Sequence, residues 1–152
     1  MNEHDKEMLE LIETGVVTLM RRADFKRTLD SQASSLDRSA YLILQVLHQQ
    51  SPRSARELAD HFLLDISTLS RQIHSLEKKG LVSRRPDHHD KRVNQIVITN
   101  EGIEAINTLK QERIHMYDSL LADWDKEERD QFAQLLERFN NTLVQKRGLP
   151  SS

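Results

Sequence analysis

The sequence predicts a mainly α-helical fold with a small β wing: a winged helix-turn-helix flanked by long helices. Three observations predict it. Two capped amphipathic segments, residues 54–62 and 65–79, follow one another with only Leu63 and Leu64 between them. Two short apolar runs, 81–85 and 95–99, flank a charged loop over 86–92. Long segments with apolar residues at three- and four-residue steps occupy both ends of the chain.

Taken in order, residues 5–29 are expected to form one helix with Met8, Leu11, Ile12, Val16, Leu19 and Met20 as its apolar stripe. Gly15 in that stripe reads as a point of close helix approach. Residues 30–35 form a polar linker. Asp37 is placed to cap a helix over 38–50, with Tyr41, Leu44, Val46 and Leu47 as its buried side. Ser54 followed three residues later by Glu57 is a capping-box pattern, and Leu58, Ala59 and Phe62 then point inward. Asp65 caps the next helix, in which Leu69, Ile73 and Leu76 step four and three apart toward the core. Its other face carries Ser67, Thr68, Ser70, Arg71 and Gln72, and Gly80 ends it.

After the wing, a helix is expected from the Thr99–Gly102 junction to about residue 122, with Ile103, Ile106, Leu109, Ile114, Tyr117, Leu120 and Leu121 along it. Asp125 and Glu128 form a second capping-box pattern. The last helix runs to about 146 with Phe132, Leu135, Leu136, Phe139 and Leu143 as its stripe, and a frayed end follows from Gly148. The division expected is a winged helix-turn-helix DNA-binding domain over 36–99, and a helical dimerisation region over 1–35 and 100–148. The terminal stripes would leave large apolar patches on a single chain. Packing against each other and against a second copy removes them, and two-fold symmetry sets two recognition helices about 34 Å apart, one DNA turn.

Composition narrows the function classes. The chain has 152 residues, no cysteine and a net charge of −2. Disulfides and thiolate metal or redox chemistry are excluded. No apolar run is long enough for a membrane span, and the charged N-terminus lacks a signal-peptide core, so a cytoplasmic location is expected. The charge is unevenly spread. Residues 71–92 hold seven Lys/Arg against three acids, a local +4, which leaves −6 on the other 130 residues. Phosphate attraction acts within about 8–10 Å at ordinary salt, so the local excess matters more than the total. Small polar side chains on the second helix allow close approach to base edges, and Arg71 reaches guanine or phosphate.

The run ARELADHFLLDISTLSRQIHSLEKKGLVSRRPDHHDKRVNQIVITNEG resembles the MarR family, the multiple-antibiotic-resistance regulators. STLSRQIHSLEKKGLV is similar to the family's recognition helix and its exit. RRPDHHDKR is similar to its wing, usually Asp-x-Arg-Asp-x-Arg, and ITNEG to the strand-to-helix junction that follows. The flanking helices resemble its dimerisation domain. The resemblance implies a dimeric, sequence-specific regulator of transcription, most often a repressor released by a small ligand, on a pseudo-palindromic double-stranded DNA operator. Ser67, Thr68, Ser70 and Arg71 fall on the groove-facing positions, with Gln72 as a neighbour. Asp87, Asp90 and Arg92 match the wing pattern, Asp90 pairing with a basic residue and Arg92 entering the minor groove. Arg84, Arg85, His88 and Lys91 are the phosphate-contact candidates. His89 replaces the usual first Arg and is shorter and less charged at neutral pH, which weakens minor-groove attraction. The family's effectors, often small aromatic or anionic molecules, imply a cleft for which Arg22, Tyr41 and His48 are the candidates, with core packing or a solvated face as the plainer reading.

Other chemistries find little in the residues. His88 and His89 with Asp87 and Asp90 have metal-ligand side chains, but neighbours in one loop rarely converge on one ion. No metal site and no cofactor is expected. Acid pairs such as Glu127-Glu128 are explained by capping and solvation, and the four glycines are isolated, so neither paired-acid catalysis nor a phosphate-cradling loop is indicated. The remaining alternative is a winged helix that docks a protein without specific DNA binding.

Overall fold

The computed structural model describes residues 1–22 and 36–146. The elements are α1 (Glu3–Arg21), α2 (Arg38–Gln49), β1 (Arg53–Ser54), α3 (Ala55–Phe62), α4 (Ile66–Lys78), β2 (Val82–Pro86), β3 (Asn94–Ile98), α5 (Asn100–Leu120) and α6 (Lys126–Gln145). They fall into two compact units, Met1–Glu112 and the part from Arg113 onward.

In the first unit, helices pack on a three-stranded antiparallel sheet of order β1-β3-β2. The hairpin register pairs Val82 with Ile98, Arg84 with Ile96 and Pro86 with Asn94, while Arg53 lies opposite Ile96 on its other side. The core is a single cluster. Ala40, Ile43, Leu44 and Leu47 enter it from α2, Leu58 and Ala59 from α3, and Leu69, Ile73 and Leu76 from α4. Val82 and Ile96 come from the sheet, and Ile106 and Leu109 from the first half of α5. Each helix contributes at helical spacing, so its orientation is fixed by burial. Truncating one such Leu or Ile to Ala typically costs about 2–5 kcal/mol.

Side-chain caps set the helix starts. Asp37 accepts from the Ala40 amide at 2.8 Å, Ser54 from Glu57 at 3.1 Å and Asp65 from Thr68 at 3.0 Å. The reciprocal capping box closes at α6, between Asp125 and Glu128. At α3 the hydroxyl arm from Ser54 forms. Thr99 does two jobs where β3 meets α5. Its hydroxyl donates to the Gly80 carbonyl at 2.6 Å and accepts from the Gly102 amide at 3.1 Å.

Several expectations shift. The first helix ends at Arg21, not 29, because the Arg22 amide turns back to the Leu19 carbonyl and Arg22 leaves helical geometry. Residues 23–29 and the expected linker over 30–35 lie outside the described residues, as does the frayed end from Gly148. The buried side of α2 is Ala40, Ile43, Leu44 and Leu47, while Tyr41 and Val46 are half-buried at its flank. Phe62 is likewise half-buried against the core. The strands begin and end one residue away from the expected bounds, and β1 was not expected at all. A Cβ at Gly15 meets no described atom within 4 Å, so Gly15 marks no close approach among the described residues.

The terminal stripes are uncovered. Met8, Leu11, Ile12, Leu19 and Met20 of α1 are exposed, and α1 has no buried residue. In the second unit, Phe132, Leu135, Leu136, Phe139 and Leu143 of α6 are exposed in the same way. Arg129 ties α6 to the end of α5, donating to the Leu121 carbonyl and pairing with Asp118 at 2.8 Å. No described helix is long and apolar enough to cross a membrane.

Candidate nucleic-acid interface

The turn between α3 and α4 is made by Leu63, which adopts the left-handed conformation at φ 51°, and by the Leu64 amide, which donates to the Ala59 carbonyl at 2.9 Å. This turn swings the chain sharply enough that α4 crosses α3 with its Leu69, Ile73 and Leu76 stripe on the core. The remaining face of α4 is therefore left to solvent. On it Ser67 and Arg71 are exposed, and Thr68 and Ser70 are half-buried. Gln72 turns inward: its Oε1 is buried and accepts no hydrogen bond from a described group. It shares a cleft of about 320 Å³ with Asp37, Thr68, Arg71 and Ser75.

The first turn of α4 is organised by one carboxylate. Asp65 accepts from the Thr68 amide at 3.0 Å, from the Thr68 hydroxyl at 2.7 Å and from the Ser67 hydroxyl. Arg71 Nη2 in turn donates to Thr68 Oγ1 at 3.3 Å. The two hydroxyl bonds, with the backbone bond behind them, hold the Asp65 carboxyl well below the usual aspartate range, so it is ionised throughout neutral pH.

The wing is a stitched loop. Asp87 Oδ1 accepts from the His89 amide at 2.7 Å, and Oδ2 accepts from Gln95 Nε2 at 2.7 Å. These bonds lower the Asp87 carboxyl pKa, the His89 amide first. Asp90 Oδ1 accepts from the Arg92 amide at 3.0 Å and from its Nε at 3.2 Å. The backbone closes the loop through Asp87 N to the Val93 carbonyl and Val93 N to the Asp90 carbonyl. Fixed in this way, the loop holds His88, His89, Lys91 and Arg92 out to solvent. Arg85 is exposed on β2, whereas the neighbouring Arg84 turns to Glu77 of α4, Nε to Oε2 at 3.4 Å.

The candidate contacts thus gather on one unit: polar side chains along α4, and a row of cations on β2 and the wing. Sequence reasoning did not assign the organising acids, Asp65 beyond its cap, Asp87 as the wing's anchor, and Glu77. Among the described residues, no three His, Asp or Glu side chains come together as a metal set, the His88–His89 pair included. Of the effector candidates, Tyr41 packs against the core, while His48 in the last turn of α2 and Arg22 at the end of α1 are exposed.

A helix-turn-helix with a basic β wing, cap-ordered at the tip of its second helix, defines the class of winged-helix DNA-binding proteins. Comparison with known proteins narrows the class. The MarR family model matches residues 36–93. The uncharacterized HTH-type transcriptional regulator YxaD of Bacillus subtilis is 38% identical over 136 residues, 90% of this chain and 95% of the relative. A MarR family protein from Bacillus stearothermophilus shares the fold at TM-score 0.72 and 23% identity, covering 95% of this chain and 99% of that one. The PcaV transcriptional regulator from Streptomyces coelicolor, solved in complex with its natural ligand, matches at TM-score 0.66 and 21% identity over 84% of this chain and 91% of its own. The chain belongs to the MarR family and is a DNA-binding regulator of transcription.

Proposed function

We propose that two copies of this chain bind a pseudo-palindromic operator, with α4 of each in a major groove and each wing along the neighbouring backbone. The observation that carries the reading is the solvent-facing polar side of α4 on the same unit as the exposed cations of β2 and the wing. Ser67, Thr68, Ser70 and Arg71 read base edges, with Gln72 beside them from its half-buried position. Arg85, Lys91, Arg92, His88 and His89 meet phosphate or the minor groove, and Arg84 does so only as far as Glu77 leaves its guanidinium free. Asp90 holds Arg92 in place. Residues 36–99 are the DNA-binding domain in this reading, and 1–35 with 100–148 the dimerisation region, supported by the uncovered apolar stripes of α1 and α6.

The chain acts as a repressor in the cytoplasm. A small aromatic or anionic ligand releases it by changing the spacing of the two recognition helices, because the DNA turn fixes that spacing. PcaV, bound to its natural ligand, supports a ligand-responsive reading. Arg22, Tyr41 and His48 are the starting positions for an effector search.

The test is fluorescence anisotropy of the full chain on DNA from upstream of its own gene, with random DNA as competitor at two salt concentrations. A preference of about a thousandfold with a steep salt slope is expected. Equal binding to upstream, genome-selected and random DNA refutes sequence-specific regulation.

A further inference from the structure

We infer that Asp65 sets the base preference of α4 by taking the hydroxyl protons of Ser67 and Thr68, so that both side chains turn acceptor lone pairs toward the groove and select bases that offer an exocyclic amine, adenine or cytosine. The inference rests on the proposal that α4 lies in the major groove.

A hydroxyl has one proton and two lone pairs, and an ionised carboxylate only accepts. In each bond to Asp65 the hydroxyl must therefore be the donor. Thr68 Oγ1 lies 2.7 Å from Asp65 Oδ1, and Ser67 Oγ bonds Asp65 Oδ2. Thr68 Oγ1 also accepts from Arg71 Nη2 at 3.3 Å, which leaves it one lone pair. Ser67 keeps two and is exposed. The same two hydroxyl bonds hold the Asp65 carboxyl below the usual aspartate range, so it is ionised, and only an acceptor, at neutral pH.

Without Asp65, Ser or Thr in a recognition helix is indifferent, because a free hydroxyl rotates to donate or accept. With it, the first turn of α4 offers only acceptors beyond its backbone, and Arg71 one turn later offers only donors. In the major groove the donors are adenine N6 and cytosine N4, and guanine presents two acceptors, O6 and N7. The helix thus carries a fixed polarity: amine-bearing bases opposite Ser67 and Thr68, guanine opposite Arg71.

The experiment uses the full-length chain. Selection from random duplexes by wild type, Ser67→Ala, Thr68→Val and Arg71→Ala maps the positions each side chain reads. Duplexes then carry purine for adenine, or pyrimidinone for cytosine, at the positions mapped to Ser67 and Thr68, which removes only the amine. Wild type is expected to lose roughly three- to tenfold in affinity, the worth of one hydrogen bond. Ser67→Ala loses nothing further at its own position. Asp65→Asn caps a helix as well as Asp, so the fold survives. Its amide gives a donor in place of one acceptor, so a hydroxyl turns outward and the sensitivity to amine removal shrinks at these positions. Discrimination at the Arg71 position stays. Full affinity of wild type for the amine-free duplexes overturns the inference. So does undiminished amine sensitivity in Asp65→Asn, or a uniform weakening at every position, which would reduce Asp65 to a cap. If Ser67→Ala, Thr68→Val and Arg71→Ala all leave the selected sequence unchanged, α4 is not in the groove and the proposed function falls with the inference.

Discussion

Arg84 on β2 and Glu77 in the last turn of α4 form an ion pair across the Gly80 turn, Nε to Oε2 at 3.4 Å. The pair joins α4 to the strand that leads into the wing. Both side chains are about one-third exposed, at 31% and 36%, so water screens the pair without abolishing it.

The first prediction separates Arg84 from its neighbour Arg85. A cycle of Glu77→Gln, Arg84→Met and the double variant should give a coupling of up to about 1 kcal/mol in thermal unfolding, shrinking as salt is raised. Arg85→Ala should leave unfolding unchanged and weaken DNA binding alone. Equal melting of all four cycle members would show that the pair contributes nothing.

A second prediction concerns Gly102 in the first turn of α5. A Cβ there would press on the Leu81 carbonyl oxygen and come within 2.8 Å of Ile98 Cγ1. That carbonyl already accepts from the Thr99 amide at 3.1 Å, so it is held and has no room to give. Gly102→Ala is expected to destabilise by about 2–3 kcal/mol, the scale of overpacking against fixed backbone. An unchanged denaturation midpoint would mean the junction is softer than its hydrogen bonds imply.

Much of the fold was legible because its signals are local. Asp37, Ser54, Asp65 and Asp125 cap the helices their spacing announces, and the Leu69, Ile73, Leu76 stripe is the one α4 buries. Where apolar residues crowd, periodicity blurs: Tyr41 to Leu44 are all apolar, and only packing shows that Ile43 with Ala40 goes inward. The two-residue β1 has no pattern of its own and exists by pairing with β3. The wing's charge was readable, but not its stitching. Asp87 reaches Gln95 eight residues away only because the hairpin folds back. The hydroxyl bonds of Ser67 and Thr68 to Asp65 likewise depend on rotamers that spacing does not dictate.

The third prediction follows from Asp87. Its folded pKa is depressed by the His89 amide and by Gln95, so the carboxylate contributes wing order that is complete above the ordinary aspartate pKa. That order is lost as pH falls through the lower folded value. Protection of the His89 amide, its NMR exchange rate relative to an unstructured chain at the same pH, should therefore hold from neutral pH down past the usual aspartate range and fall only below it. Asp87→Ala should leave that amide unprotected at every pH, with the protection of the Leu69 and Ile73 core amides unaffected. A wild-type His89 amide as labile as that of Asp87→Ala at neutral pH would remove Asp87 as the anchor.

The last prediction divides the interface into the part that specifies and the part that holds. Arg71 is exposed on α4, and its guanidinium is steered by Thr68 Oγ1 at 3.3 Å. A planar fork so placed suits guanine O6 and N7, a contact worth about 1–3 kcal/mol of discrimination. Lys91 is exposed on the wing, and in the proposed complex its point charge would meet phosphate without regard to sequence. Arg71→Ala should thus bring operator and random DNA closer in affinity while changing the salt slope little. Lys91→Ala should weaken both alike and reduce the slope by about one for each wing that touches DNA. The two variants exchange signatures if the wing does the reading and the helix only docks. Measuring both affinities at two salt concentrations decides it, because discrimination and salt slope are read from the same four numbers.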